Sequence, residues 1–235
     1  MNRNRKNLSA VRYFSVAERV LWCASVALIV LSFCLFDRQS YATLAASLIG
    51  VTSLIFNAKG NPAGQALMLA FSVLYGAISY SCAYYGEMIT YLGMTAPMAL
   101  FSLVSWLRHP YRGKRAEVEV NTLRPMEYVL MLALTAGVTG GFYFVLRALG
   151  NANLIPGTVS VATSFLAVYL TFRRSPLFAL AYAANDMVLI LLWSLAAAED
   201  RAYLSVTVCF VAFLVNDLYG FLSWRRMKKG QSERR

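Results

Sequence analysis

The sequence predicts an all-α, polytopic membrane protein with eight transmembrane helices. Two observations lead to this fold class. First, 59% of the residues are hydrophobic and only 14% are charged, whereas an average soluble domain has about 45–50% apolar and about 25% charged residues. Second, the apolar residues form runs of roughly 20, which is long enough to cross a hydrocarbon core of about 30 Å as an α-helix. We therefore expect one helical bundle in a lipid bilayer and no soluble domain.

Each apolar run is interpreted as one membrane span. The predicted spans are Glu18–Phe36, Tyr41–Asn57, Gln65–Tyr85, Met88–Trp106, Met126–Leu149, Gly157–Phe172, Pro176–Ala197 and Tyr203–Trp224. The first run is long for a signal peptide, and Asp37-Arg38 follows it where small residues would mark a cleavage site, so it is kept as a span. Pro97 is expected to kink the fourth span, either as a hinge or as a plain packing kink.

The basic residues favour one orientation. All Lys and Arg residues except Arg38, Arg147 and Arg201 lie on the side of the membrane that carries the N-terminus, if the eight spans alternate in direction. Lys and Arg are enriched in cytoplasmic loops. Both termini are therefore predicted to be cytoplasmic.

A weak internal repeat divides the chain. LIFNAKGNP (Leu54–Pro62) resembles LTFRRSP (Leu170–Pro176), and each segment is followed by an apolar helix, a short acidic loop and a helix that ends in Ser-Trp plus basic residues. An odd number of spans between equivalent helices makes the repeat parallel, as in the SWEET sugar transporters. The predicted architecture is a SWEET-like 3+1+3 repeat preceded by one extra N-terminal helix.

This repeat sets the predicted domain organisation. The segments are a basic cytoplasmic N-terminus at 1–17, a single transmembrane domain at 18–227 and a basic cytoplasmic tail at 228–235, with repeat one at about 41–109, a linker helix at about 126–149 and repeat two at about 157–227.

Polar side chains inside the last two spans are the candidate binding residues. A carboxylate at the centre of a membrane helix costs roughly 2.5–3.5 kcal/mol on insertion scales, so such a group indicates a functional site. Polar and aromatic residues recur at helical spacing in both spans. The candidates are Tyr182, Asn185, Asp186 and Trp193 in the seventh span, Asn216, Asp217 and Tyr219 in the eighth, and Tyr75 in the third. The alternative is that the Asn and Asp side chains only bond neighbouring helices together.

Other classes of protein are disfavoured. The net charge of +11 could suggest nucleic acid, but the basic residues sit at the ends of spans and form no stripe. The four cysteines lie in apolar runs without CxxC spacing, and the single histidine, His109, cannot form a His-rich metal site. GxSxG, HExxH, GxGxxG and Walker-type motifs are missing. We therefore predict neither an enzyme nor a cofactor or metal site.

Four motifs resemble the PnuC-type vitamin transporter family. They are LYGAISYSCAYYGEM (Leu74–Met88), Pro97-Met98, Trp106-Leu107-Arg108 and NDLYGFLSW (Asn216–Trp224), and the resemblance covers roughly 42–229. It implies a three-one-three bundle, a homotrimer in the bacterial cytoplasmic (inner) membrane, and facilitated diffusion followed by phosphorylation that traps the vitamin inside the cell. By this resemblance, Asn185, Trp193, Asn216 and Tyr219 line the substrate site.

The expected substrate is a small, flat vitamin or nucleoside. Nicotinamide riboside is the first choice, because the family's best-known members carry it and because its positive ring would offset the charges of Asp186 and Asp217. Thiamine, riboflavin and deoxynucleosides, which related transporters carry, remain alternatives, as does proton coupling through either aspartate. An alternative of another class is a membrane sensor or scaffold that transports nothing.

Overall fold

The computed structural model describes residues 13–81, 85–151 and 153–233. Its α-helices are α1 (Val16–Phe36), α2 (Tyr41–Ala58), α3 (Ala63–Ser81), α4 (Tyr85–Ile89), α5 (Ala96–Arg108), α6 (Pro125–Ala148), α7 (Leu154–Phe172), α8 (Phe178–Glu199) and α9 (Leu204–Ser232). A π-helix (Thr90–Thr95) joins α4 to α5, and a 3₁₀ turn (Arg201–Tyr203) precedes α9. Over the described residues, eight helical segments are long and apolar enough to cross a membrane. The predicted fold class is confirmed.

The fourth span is not one regular helix. It consists of α4, the π-helix and α5, and together they cover Tyr85–Arg108. The Ala96 N–H bonds the Tyr91 carbonyl, five residues earlier, and Thr95 Oγ1 donates to the Thr90 carbonyl at 3.2 Å. Pro97, which has no N–H, follows directly and occupies the first turn of α5. The irregularity expected at Pro97 is therefore present as a π-helical turn on its N-terminal side.

Two segments outside the predicted spans have regular secondary structure: the loop after α5 contains a β-hairpin, and the start of the C-terminal tail is helical. Strands β1 (Pro110–Tyr111) and β2 (Lys114–Val118) pair in an antiparallel hairpin that the sequence analysis did not predict. Residues 228–232, the beginning of the predicted tail, continue α9. The buried side chain of Gln231 bonds the backbone carbonyl of Val118 at 3.0 Å and the N–H of Val120 at 2.9 Å. The hairpin thus holds the end of α9. Residues 1–12 and 234–235 of the predicted N-terminus and tail lie outside the described residues.

The bundle has two ends, which we name by the chain. The termini end carries Tyr13 and the end of α9, and the far end carries the connections α1–α2, α6–α7 and α8–α9. Helices α2, α3 and α4–α5 form one group, and α7, α8 and α9 form a second. The first helix of each group contacts the last helix of the other, α2 with α9 and α7 with α5.

Two tryptophans close the termini end in matching ways. Trp106, near the end of α5, donates its indole N–H to the Thr171 carbonyl of α7 at 3.0 Å. Trp224 in α9 donates to the Asn57 carbonyl of α2 at 2.7 Å. Both indoles are fully buried, and their ring centroids lie 5.4 Å apart. This exchange of equivalent bonds is consistent with the predicted parallel repeat.

Helix α6 is the linker between the two groups and is the least buried of the eight spans. It packs mainly on α7. Gly137, Gly140 and Gly141 on α6 have no atom within 4 Å of the position that a Cβ would take. Its outer surface is therefore free of contacts from the described part of this chain.

Candidate functional site

A small cavity near the middle of the bundle contains the two aspartates. Asp186 of α8 and Asp217 of α9 are 3% and 4% exposed, and both line the same cavity. The lining residues are Leu54, Met68, Phe71, Tyr91, Thr95, Ser164, Tyr182, Asn185, Asp186, Phe210, Phe213 and Asp217. We name this space the central cavity.

The central cavity is nearly closed. Its volume is about 20 Å³, which is room for about one water molecule. Asn185 does not point freely into it, because its Oδ1 accepts bonds from Thr163 Oγ1 and Ser164 Oγ, both at 2.9 Å. Among the described residues, Asp186 Oδ2 is buried without a hydrogen-bond partner. The conformation is therefore one in which the bundle has closed around the aspartates, leaving an unsatisfied acceptor.

An aromatic cluster separates the central cavity from the far end. Trp193 Nε1 donates to the Tyr75 hydroxyl at 2.6 Å, and the Tyr75 and Tyr91 rings are 4.4 Å apart. Phe71 and Phe210 pack on the same Tyr75 ring at 5.5 and 5.8 Å. Trp193 also reaches a cavity of about 250 Å³ at the far end. A solute moving between the far end and the aspartates would have to displace this cluster.

Two of the predicted site residues lie elsewhere. Asn216 Nδ2 donates to Ser25 Oγ of α1 at 2.8 Å, and the Tyr219 hydroxyl donates to Glu18 Oε1 at 3.3 Å. Successive helical residues point about 100° apart, so Asn216 faces α1 while its neighbour Asp217 faces α8. The structure thus brings together Tyr182, Asn185, Asp186 and Asp217, puts Tyr75 and Trp193 in the adjoining cluster, and puts Asn216 and Tyr219 against α1.

The sequence analysis missed several residues of the central cavity and of the aromatic cluster. Phe71, Tyr91, Thr95 and Ser164 line the central cavity. Phe71 and Tyr91 look like ordinary apolar or interfacial residues of their spans. A usable signal was the density of Ser and Thr in the sixth span, because hydroxyl groups inside a membrane helix find partners on neighbouring helices.

A second polar cluster ties α1 to the termini end. Glu18 is 4% exposed, and Lys59 Nζ donates to its two oxygens at 3.2 and 3.1 Å. The Ser15 N–H donates to the same carboxylate at 2.7 Å, completing a capping box on α1. Lys59 also lies over the Tyr13 ring at 4.9 Å. Burial raises the pKa of the Tyr13 hydroxyl, against the lowering effect of its bond from Asn61.

A metal centre is not indicated. Within residues 13–81, 85–151 and 153–233, three or more His, Cys, Asp or Glu side chains do not meet in a group that could hold a metal ion. The central cavity offers two carboxyl groups, the Asn185 amide, hydroxyl groups and aromatic rings instead. That set of groups suits a small organic molecule with hydrogen-bonding edges and a flat ring.

Eight spans, which are two groups of three, a linker and the N-terminal helix α1, surround an enclosed polar cavity. This arrangement defines a polytopic membrane transporter. A family model described as nicotinamide mononucleotide transporter matches residues 40–226. The chain belongs to this family.

Curated relatives and a solved structure agree with this assignment. The chain is similar to the nicotinamide riboside transporter PnuC of Neisseria mucosa, with 27% identity over 84% of this chain and 76% of the relative. It is also similar to the nicotinamide riboside transporter PnuC of Haemophilus influenzae, with 22% identity over 81% of this chain and 82% of the relative. A crystal structure of the vitamin B3 transporter PnuC has the same fold, with a TM-score of 0.81, 23% identity, and coverage of 93% of this chain and 94% of the other.

Proposed function

We propose that this transporter moves nicotinamide riboside across the bacterial cytoplasmic membrane by facilitated diffusion, with phosphorylation inside the cell retaining the vitamin. One observation carries the choice of substrate. Asp186 and Asp217 are buried at the same cavity, and the described residues that line it include no Lys or Arg. A substrate with a fixed positive charge would supply the missing compensation, which a neutral substrate could not do. The names of the two curated relatives support the same substrate.

In this proposal the nicotinamide ring and the ribose of nicotinamide riboside contact different residues. The positive nicotinamide ring lies beside Asp186 and Asp217, with Tyr182 and Tyr91 offering flat faces. The Asn185 amide forms hydrogen bonds with the carboxamide or the ribose hydroxyls after its bonds with Thr163 and Ser164 of α7 rearrange. Tyr75 and Trp193 form the wall towards the far end. The central cavity must enlarge for entry, because about 20 Å³ holds no solute of this size.

Asn216 and Tyr219 have an indirect role in this proposal. They hold α9 against α1 through Ser25 and Glu18. That contact fixes the rotation of α9 and so keeps Asp217 directed towards α8. We assign both residues to the site as positioning residues.

The topology and assembly follow from charge and from family resemblance. We propose that the termini end faces the cytoplasm, because it carries Lys59, Arg108, Arg173 and most other basic residues. A homotrimer in the inner membrane is proposed by resemblance to the family. Labelling of single cysteines placed at Ser232 and Glu199 should come from opposite sides of the membrane, and labelling of both from one side would refute this topology.

Uptake into proteoliposomes tests the substrate. Wild-type protein should move labelled nicotinamide riboside to equilibrium without a pH gradient. Replacing one carboxylate beside a bound cation should weaken binding by about tenfold, or about 1.4 kcal/mol, in Asp186→Asn and Asp217→Asn. Glu199→Gln, which neutralises an exposed acidic residue at the far end, is the matched control. Tight binding of riboflavin or a deoxynucleoside that both Asn variants leave unchanged would exclude a cationic substrate.

The burial of both aspartates at one cavity also favours a second candidate, proton-coupled uptake. A pair that shares one proton can release it when a cation arrives or gain a second one with a neutral solute. An imposed pH gradient would then drive accumulation above equilibrium in liposomes that contain no kinase. Loss of that accumulation in Asp186→Asn would assign the coupling to the pair.

A further inference from the structure

A second cavity lies at the far end, between α4, α6, α7 and α8. Its volume is about 250 Å³, compared with about 20 Å³ for the central cavity. The lining residues are Tyr85, Gly86, Glu87, Leu146, Leu149, Gly150, Asn151, Asn153, Gly157, Leu192 and Trp193. Tyr85, Leu149 and Gly150 are exposed, so the rim lies at the surface of the bundle. We name this space the outer cavity.

Glu87 is the one charged residue among those that line the outer cavity. Its Oε1 accepts a long bond of 3.4 Å from Ser160, and its Oε2 is buried without a hydrogen-bond partner among the described residues. The ion pairs of the described residues do not include it. A carboxylate oxygen shielded from water without a bond is costly. A cation in the outer cavity would remove that cost.

The other walls of the outer cavity suit a flat ring. Trp193 and Tyr85 both line the outer cavity, and Tyr85 is exposed at its rim. An indole is the best aromatic partner for a cation at close range. Asn151 and Asn153 add amide groups that can bond a carboxamide or hydroxyl groups. The cavity therefore offers a charge, a stacking surface and hydrogen-bonding edges together.

Aromatic residues also link the outer cavity to the aspartates. Tyr91 lines the central cavity together with Asp186. Trp193, which lines the outer cavity, bonds Tyr75, which packs against Tyr91. A cation leaving Glu87 would thus meet the aromatic cluster first and the carboxyl pair behind it.

We propose that the outer cavity is a separate binding site for a flat organic cation, in which Glu87 offsets the charge and Trp193 stacks on the ring. The inference deepens the proposed function and rests on it for direction, because a transported cation would occupy this site before the central cavity. The site itself stands on the geometry of Glu87 and can be tested without transport.

The test measures binding of 1-methylnicotinamide, a cation, against neutral nicotinamide. The readout is quenching of tryptophan fluorescence in purified protein carrying Asp186→Asn, which weakens the central cavity as a competing site. Cation affinity should fall by about tenfold, or about 1.4 kcal/mol, when Glu87→Gln is added, while nicotinamide affinity stays the same. Glu87→Asp should keep the preference for the cation, and Trp193→Phe should remove most of the quenching. Glu199→Gln is the control for an exposed acidic residue nearby.

Two results would overturn the inference. One is equal affinity for the cation and for neutral nicotinamide before Glu87 is changed. The other is unchanged cation affinity in Glu87→Gln protein whose melting temperature equals that of its parent. Binding that depends on Glu87, found in a protein that fails to move nicotinamide riboside, would support this site and refute the proposed function, so the two failures can be told apart.

Discussion

Replacing Lys59 by Met should destabilise the termini end, because it leaves Glu18 buried without its cation. The two side chains are 21% and 5% exposed. Breaking a fully buried ion pair costs about 3–5 kcal/mol. The remaining bonds from Ser15 and Tyr219 and the partial exposure of Lys59 reduce the expected loss to about 2 kcal/mol. A protein of this size loses about 2–4 °C per kcal/mol, so the melting temperature should fall by about 4–8 °C.

Thermal unfolding of the purified protein in one detergent measures this effect. Glu18→Gln should cost less, about 1 kcal/mol, because the amide oxygen still accepts the bonds made to one of the two carboxylate oxygens and the partly exposed Lys59 ammonium reaches water. The double variant should lose less than the sum of the two single losses, with a coupling of about 1 kcal/mol. Lys114→Met is the matched control, since Lys114 is exposed and lines a surface cavity at the termini end together with Lys59. Equal melting temperatures for the Lys59 and Lys114 variants, or strictly additive losses, would refute the reasoning.

Three further predictions concern packing and the irregular span. Gly64→Ala should lower the melting temperature or abolish expression, because the new Cβ would lie 2.7 Å from the Asn57 backbone nitrogen. The control, Gly137→Ala, is at an open position and should leave the melting temperature the same or higher. Trp224→Phe should lower the stability by about 1–3 kcal/mol in thermal unfolding, since it removes the indole bond to the buried Asn57 carbonyl, leaving that oxygen the Gly60 N–H at 2.9 Å, and reduces buried ring contact. Pro97→Ala should slow uptake more than it weakens equilibrium binding, because the π-helical turn before it can act as a hinge.

Each of these predictions has a result that contradicts it. A Gly64→Ala protein as stable as wild type would mean that α2 and α3 can move apart freely. Full stability in Trp224→Phe would mean that the Gly60 N–H alone satisfies the Asn57 carbonyl and that the indole bond contributes nothing. If Pro97→Ala weakens binding but leaves the transport rate of the bound substrate unchanged, Pro97 shapes the binding site and is not part of a hinge.

The spans could be predicted from sequence because each depends on a local property, the length of an apolar run. Site geometry is different, because it depends on pairs that are distant in the chain. Tyr75 and Trp193 are 118 residues apart, and periodicity within one helix carries no information about that contact. The same limit explains why Asn216 and Asp217 are both predicted to line the site, although their side chains face different helices.

Charged residues near span ends were also hard to interpret from sequence. Glu18 looked like the polar start of a span and Glu87 like part of a short acidic loop. Their roles depend on their surroundings across the bundle, which for Glu18 are the Lys59 ammonium and for Glu87 the Ser160 hydroxyl and the buried position of Oε2. The local sequence shows that such a residue is charged, but it does not show whether another helix supplies a cation or a hydrogen-bond donor to it. The hairpin at Pro110–Val118 was missed for a related reason, since two very short strands leave little periodic signal.

The exposed linker helix α6 has a consequence for how the sequence can change over time. Its task is to return the chain to the starting side, so that the second group of three helices enters the membrane in the same direction as the first. That task requires a length and an apolar surface, but few specific neighbours: on α6 only Met131, Thr135 and Leu146 are buried in the described structure. Substitutions among apolar residues should therefore accumulate faster on the lipid-facing side of α6 than in α8 or α9.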